Sequence, residues 1–179
     1  HIDNDDAFPG SNDSAVMFVA PATGRYSLRA TTAGRAQPGA FTLRAERLTA
    51  SEGASLALGA TAESALDATP GEGMPGRWFH FEARAGARVR LRVTSAAFDT
   101  VATVLGPRGQ SWVNDDANDL GPDRSERPLD STLEVVIPES GTYHLVVTSY
   151  GTRGAGVFRV ASSERPPVVL RAGEEAPSV

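Results

Sequence analysis

The chain has 179 residues, of which 40% are hydrophobic and 22% are charged, and this suits a globular protein with one large or two small domains. Its formal net charge of -5 argues against a general nucleic-acid-binding protein, which carries a strong basic surface. Without cysteine the chain has no disulfides or thiolate metal sites, and no apolar run reaches the roughly 18 residues that a membrane-spanning helix needs.

The first part of the chain has the pattern of three short strands separated by turns. The spacing predicts them at residues 15–20, Arg25–Thr32 and Gly39–Ala45. Apolar and polar residues alternate along them, so Tyr26 and Phe41 are predicted to face a core. Three strands with one apolar face are only marginally stable by themselves, so we expect this part to need further strands.

A second and longer series of short strands begins near residue 55. The predicted strands are 56–59, 60–66, Arg77–Glu82, Ala87–Thr94, Phe98–Leu105, Leu133–Ile137, Tyr143–Val147 and Val157–Val160. Turns rich in glycine and proline separate many of them, and no segment shows a sustained helical period. Short strands at this spacing predict an all-β antiparallel sandwich or barrel.

An internal repeat links the two series. Asn4–Ala7 matches Asn114–Ala117 at an offset of 110 residues. A second set of residues recurs at a constant offset of 117: Asp13, Ser14, Pro21, Gly24, Tyr26, Gly34, Gly39 and Phe41. The second copy therefore has seven extra residues in its acidic loop. The first series is thus the back half of a module that the second series contains in full.

These matches predict four segments. Residues 1–47 are the C-terminal half of a module, residues 48–54 are a linker, and residues 55–163 are a complete module. Residues 164–179 form a tail, which is either a donor strand or the start of a further module.

Six motifs follow one another in the complete module. They are Phe79–Phe81, Ala85–Gly86, Phe98–Asp99, Leu105–Gly109, Asn114–Asp116 and Ile137–Tyr143. In this order they resemble the bacterial pre-peptidase C-terminal domain family. The resemblance implies jelly-roll-like β-sandwich modules, here in tandem, in a secreted bacterial protein. It also implies that the modules are non-catalytic, and some related modules bind calcium or insoluble polymers such as collagen.

The acidic loop and its neighbours form the candidate metal site. The oxygen donors are Asp99, Asn114, Asp115, Asp116 and Asp130, with Asp119 and Asp123 as further candidates. Ca²⁺ prefers about six to eight oxygen ligands, so it is the cofactor that this set predicts. The alternative is that Asn-Asp-Asp consists of turn residues, whose side chains bond neighbouring backbone amides.

The candidate binding surface is an outward-facing arginine stripe on one predicted strand, formed by Arg88, Arg90 and Arg92. Trp78 and His80, taken to lie on a neighbouring strand, extend this surface. Such a surface suits an anionic or aromatic partner, for example an extracellular polymer. The alternative is a solvated sheet face, with the arginine stems laid over apolar neighbours.

The sequence contains no recognisable catalytic motif. It lacks Gly-x-Ser-x-Gly, His-Glu-x-x-His and a glycine-rich phosphate loop. His80 and His144 face outward on their predicted strands and are interpreted as ordinary surface histidines. We therefore expect a protein that is not an enzyme.

Two roles follow from the incomplete first module. In the first, other copies of the chain or another β-strand donor complete it, and head-to-tail donation builds an extracellular polymer. In the second, the chain is part of a larger secreted peptidase, and its modules target that enzyme to a polymeric substrate with the help of calcium. Both roles place the protein outside the cell.

Overall fold

The computed structural model describes residues 4, 13–32, 38–45, 47, 53–67, 76–117, 129–152 and 154–165. All strands in these residues follow residue 53. They are β1 (Ala54–Ser55), β2 (Thr61–Leu66), β3 (Arg77–Ala83), β4 (Arg88–Ser95), β5 (Thr100–Leu105), β6 (Ser111–Asn114), β7 (Ser131–Val136), β8 (Gly141–Ser149) and β9 (Gly156–Arg165). A short 3-10 turn, Tyr150–Thr152, follows β8.

The strands form a β-sandwich of two sheets. One sheet has five strands in the order β1-β3-β8-β5-β6, and the other has four in the order β2-β9-β4-β7. The strand pairs in the described residues are antiparallel, except that β1 runs parallel to β3. The predicted all-β antiparallel sandwich is confirmed.

Alternation along the strands builds the core between the two sheets. In β4, Val89 and Leu91 are fully buried, whereas Arg88 and Arg90 are exposed. The same cluster contains Leu56, Leu66, Phe79, Phe81, Val93, Phe98, Leu133, Val135, Ile137, Tyr143, Leu145, Phe158 and Val160. Burial of one large apolar side chain stabilises a protein by about 1.5–3 kcal/mol, so this cluster is the main source of stability.

The strands of the back half do not pair with one another in the described residues. β7 pairs with β4, β8 lies between β3 and β5, and β9 lies between β2 and β4. All of these partners belong to the front half of the module, residues 54–105. The three strands of the back half therefore form no hydrogen-bonded pair with one another in the described residues, and they are divided between the two sheets.

This pairing pattern explains the first copy of the repeat. Residues 13–32 and 38–45 contain no strand, so the three strands predicted in this part are not formed there. The prediction that Tyr26 and Phe41 face a core is wrong for this chain, because these side chains are 49% and 73% exposed. The described strands include no second set of front-half strands with which the first copy could pair.

One local contact is nonetheless the same in both copies. The Tyr143 hydroxyl donates a hydrogen bond to the Glu139 carbonyl at 2.8 Å, and the Tyr26 hydroxyl donates to the Ala22 carbonyl at 2.5 Å. Both bonds span four residues and require no sheet. Residues close in sequence are thus enough to form this turn, whereas strand pairing depends on residues that are far away in the sequence.

Ser131, one of the repeated residues, links the two sheets. Its hydroxyl on β7 donates to the Thr100 carbonyl on β5 at 2.6 Å and lies 2.8 Å from the Thr100 hydroxyl. Both residues are completely buried, so their polar atoms need partners inside the protein. Its repeat counterpart, Ser14, is exposed.

Three boundaries differ from the sequence predictions. The first strand, predicted at 56–59, is instead the two-residue β1 at Ala54–Ser55. β6 was not predicted, because four residues are too few for alternation to stand out. β9 continues to Arg165, past the predicted module end at 163, and the remaining tail, residues 166–179, lies outside the described residues.

Candidate functional site

The predicted binding-surface residues lie on opposite sides of the sandwich. Trp78 and His80 are on β3 in the five-stranded sheet, whereas the arginine stripe is on β4 in the four-stranded sheet. The prediction that these strands are neighbours is wrong, because the turn that bonds Ala87 N to Arg84 O carries the chain from one sheet to the other. The sandwich therefore has two separate candidate surfaces.

The outer face of the four-stranded sheet, called here the arginine face, carries five arginines. They are Arg88, Arg90 and Arg92 of β4 and Arg159 and Arg165 of β9. Two glutamates share this face: Glu63 lies opposite Arg159, and Glu134 lies opposite Arg90. Positive charge thus collects on one face of a protein whose formal net charge is -5.

Two ion pairs at the arginine face differ in burial. Arg88 Nη1 lies 3.3 Å from Glu134 Oε1, and both side chains are exposed, so this pair contributes little to stability. Arg92 Nη2 lies 3.4 Å from Asp130 Oδ2, and the Asp130 side chain is only 4% exposed. Asp130, one of the predicted calcium ligands, therefore already has a cationic partner.

The predicted calcium ligands are only partly brought together. Burial raises the pKa of Asp99 above its usual value, and the charges of Asp116 and Asp115 raise it further. Among the described residues, however, no group of three or more His, Cys, Asp or Glu side chains could hold a metal ion. Asp119 and Asp123 lie outside the described residues.

Asn114 makes a structural contact that occurs in both copies of the repeat. Its Oδ1 accepts a hydrogen bond from Thr132 N at 2.9 Å, which ties the loop to β7. Asn4 Oδ1 accepts in the same way from Ala15 N at 3.2 Å. Such side-chain-to-backbone bonds are typical of Asx residues in turns. Asn114 and Asp130 thus have protein partners, and calcium binding by the five residues stays a prediction.

The outer face of the five-stranded sheet contains a pair of histidines. His80 of β3 lies directly opposite His144 of β8. The prediction that His144 is a surface residue is wrong, because it is only 6% exposed on the central strand of the sheet. The Trp78 ring meets the His144 ring at an edge, with 6.2 Å between their centroids.

The protonation of His144 follows from its surroundings. Burial lowers the pKa of His144 below its usual value, the nearby imidazole of His80 lowers it further, and Glu82 raises it. Glu82 itself is engaged, since its Oε1 accepts a hydrogen bond from the Thr142 hydroxyl at 2.6 Å. The His144 imidazole is therefore neutral at neutral pH.

Two features of these surfaces cannot be read from the sequence alone. Arg159 and Arg165 belong to the arginine face, and the alternation of β9 could have placed them outward, but not beside β4. The histidine pair depends on the register of two strands that are more than 60 residues apart in sequence. Alternation within one strand contains no signal for either relationship.

No protein-family model matches the chain, and no curated protein matches it. Solved structures of similar fold include the pre-peptidase C-terminal domain of a Bacillus anthracis collagenase, with 14% identity, a TM-score of 0.41, and coverage of 63% of this chain and 95% of that one. The periplasmic lysozyme inhibitor PliG of Salmonella Typhimurium has 15% identity, a TM-score of 0.42, and coverage of 63% and 99%. CorA, a surface-associated copper-binding protein of Methylomicrobium album BG8, has 14% identity, a TM-score of 0.42, and coverage of 62% and 96%.

The collagenase domain carries the name of the family that the sequence motifs resemble. The three proteins differ in their roles, and their similarity to this chain concerns the fold. In the described residues, no helix is long and apolar enough to cross a membrane.

Proposed function

We propose that this chain is a non-catalytic, extracellular bacterial β-sandwich protein with a structural or adhesive role. Its first module is completed by front-half strands from another polypeptide segment. The second module folds without such help, because its front and back halves are both present between residues 54 and 165.

One observation carries the proposal. In the first copy of the repeat, six large apolar side chains are 42–73% exposed: Val16, Phe18, Tyr26, Leu28, Phe41 and Leu43. At the offset of 117 their counterparts are all core residues, none more than 7% exposed: Leu133, Val135, Tyr143, Leu145, Phe158 and Val160. The six exposed side chains therefore stand at the positions that form the core in the second copy.

The energetic consequence is a strong tendency to acquire partner strands. Burial of each large apolar side chain contributes about 1.5–3 kcal/mol, so six of them together favour completion. Residues 13–32 and 38–45 contain no strand, so a partner can also add to their backbone as a neighbouring strand.

The pairing pattern also favours one kind of donor. Between residues 54 and 165 the one front half already pairs with the second back half, so the first back half needs the strands of a further front half. A single strand from residues 166–179 is also too little, since β7–β9 together contact β2, β3, β4 and β5. A donor with an unpaired front half can pair with all three strands predicted in the first copy. Such a donor lies in another protein or elsewhere in a longer chain.

A hybrid module tests the proposal. Residues 53–113 are joined directly to residues 4–47, so that Asn4 takes the place of Asn114. The hybrid is expected to unfold cooperatively in urea and to bury Tyr26, as measured by near-ultraviolet circular dichroism. A matched control carries Tyr26→Ser and Phe41→Ser, and it should lose the transition. Failure of the hybrid, under conditions in which residues 48–165 fold, would rule out completion of the first module.

The arginine face supports a second candidate function, the binding of an anionic extracellular polymer. Five arginines share this face with Glu63, Glu134 and the buried Asp130, and the exposed Arg88 lies directly opposite the exposed Arg165. Arginine is well suited to carboxylate and sulfate groups because its planar fork can donate two parallel hydrogen bonds. Binding to a sulfated polysaccharide, with a salt-dependent affinity, is the expected result.

A further inference from the structure

The histidine pair lies on the side of the sandwich away from the arginine face. Residues directly opposite in an antiparallel pair have Cβ atoms about 4.5–5.5 Å apart, and His80 and His144 are such a pair. Two metal–nitrogen bonds of about 2.0 Å each span about 4 Å, so one ion joins the two imidazoles when their ring nitrogens turn toward each other. The backbone register places the two ligand-bearing residues opposite each other on one face of the sheet.

One ring atom of the pair has no partner. His80 Nδ1 is buried and makes no hydrogen bond in the part of the chain that the structure describes. A buried ring nitrogen without a partner is uncommon and calls for a specific explanation, one of which is an ion. His80 as a whole is half-buried, so this member of the pair is in partial contact with solvent.

We propose that His80 and His144 form a two-histidine copper site. Imidazole is one of the usual ligands of copper. Cu(I) in particular accepts two ligands in a nearly linear arrangement. Zinc sites normally have three or four protein ligands, and the described residues offer no third His, Cys, Asp or Glu side chain to this pair.

The residues around the histidine pair suit an ion with only two protein ligands. Val146 and Leu105 flank His144 along and across the strands, and each is 1% exposed, so the pair has an apolar border. Trp78 lies against His144 and is close enough to report on a bound ion through its fluorescence.

Copper titration of the full chain tests the site. The chain has only three histidines and no cysteine, so His1→Ala gives a background in which His80 and His144 are the only imidazoles. In this background we expect one Cu(I) per chain, measured with ascorbate as reductant and a colorimetric Cu(I) chelator as competitor. His80→Asn is expected to weaken binding at least about tenfold, as is typical when a metal site is damaged.

Two further variants keep the result unambiguous. His144→Asn removes the second ligand, and because His144 is buried, its fold is checked by circular dichroism before titration. Trp78→Phe should retain copper affinity but lose the fluorescence quenching, whereas Trp112→Phe should retain both. Equal copper affinity in the parent and the folded His80→Asn variant would overturn the proposal, as would tighter binding of Zn²⁺ than of copper.

Discussion

Arg92 of β4 and Asp130, the residue before β7, approach to 3.4 Å with the carboxylate almost completely buried. The contact joins the end of the arginine stripe to the end of the acidic loop. It also gives a physical reason for the aspartate of the repeated Asp-Ser motif, since Ser131 bonds to Thr100 while Asp130 bonds to Arg92.

We expect Arg92→Gln to lower the free energy of unfolding by about 1–3 kcal/mol, because a buried carboxylate then loses its cation. Arg88→Gln is the matched control. It removes the same charge from the same strand, but its pair with Glu134 is exposed, and we expect a loss below about 1 kcal/mol. Urea unfolding measures both values, and equal losses would contradict the structural role of Asp130.

Asp99 gives a prediction that depends on pH. Burial and the neighbouring Asp116 and Asp115 raise the pKa of Asp99, so the folded state binds this proton more tightly than the unfolded state does. The resulting stability is present below the ordinary pKa of 3.8 and is lost as the pH rises through the folded-state value. Asp99→Asn cannot ionise and therefore keeps this stability at higher pH. The variant should be more stable than the parent at about pH 7 and no more stable at about pH 3.

Calcium is checked with the same variant. Thermal melts of the parent with millimolar calcium and with chelator measure whether the ion binds the native state, since such a ligand must raise the melting temperature. A rise that Asp99→Asn abolishes would support the calcium prediction made from the acidic loop. If calcium has no effect, the raised pKa of Asp99 reflects burial and like charges alone.

The arginine face predicts a charge-specific effect on polymer binding. We expect Arg90→Gln to weaken binding to a sulfated polysaccharide several-fold, because one contact between an arginine and a sulfate group is lost. The affinity should also depend less on salt concentration, since one charge fewer takes part in binding. Arg108→Gln removes an equal charge outside this face, where Arg108 pairs with Glu139 at 2.8 Å, and it should leave binding unchanged. Equal effects on both variants, measured at two salt concentrations, would indicate attraction without a defined surface.

Much of the fold could be predicted from residue alternation. Arg88 to Thr94 alternates without interruption, and it forms β4 with the predicted faces. The first copy shows the same alternation from Arg25 to Thr32, yet it forms no strand. Alternation predicts which side chains share a face, but a strand also needs a neighbour, and neighbours are set by residues far away in the sequence.

The same limit applies to the candidate sites. Trp78, His80 and the arginine stripe are close in sequence, but the turn at Arg84–Ala87 puts them on opposite sides of the sandwich. His80 and His144 are far apart in sequence, but β3 and β8 pair them directly. Residue types and alternation thus indicate most of the candidate side chains, whereas their grouping into common surfaces depends on which strands pair.

Two glycines related by the repeat provide the last prediction. Gly156 has φ of 128°, and a Cβ there would lie 2.7 Å from the Ala97 Cβ, whereas a Cβ on its counterpart Gly39 would meet nothing within 4 Å. We expect Gly156→Ala to cost about 1–3 kcal/mol through strain and overlap, and Gly39→Ala to change the free energy of unfolding by less than about 0.5 kcal/mol.

The contrast between these glycines should disappear in a completed first module. In the hybrid that joins residues 53–113 to residues 4–47, Gly39 takes the place of Gly156 and faces Ala97. Gly39→Ala is then expected to cost as much as Gly156→Ala does in the parent chain, because the same backbone conformation and the same close approach are imposed. Urea unfolding of the hybrid measures this cost. A hybrid that folds but tolerates Gly39→Ala would show that the first copy adopts a different register from the second.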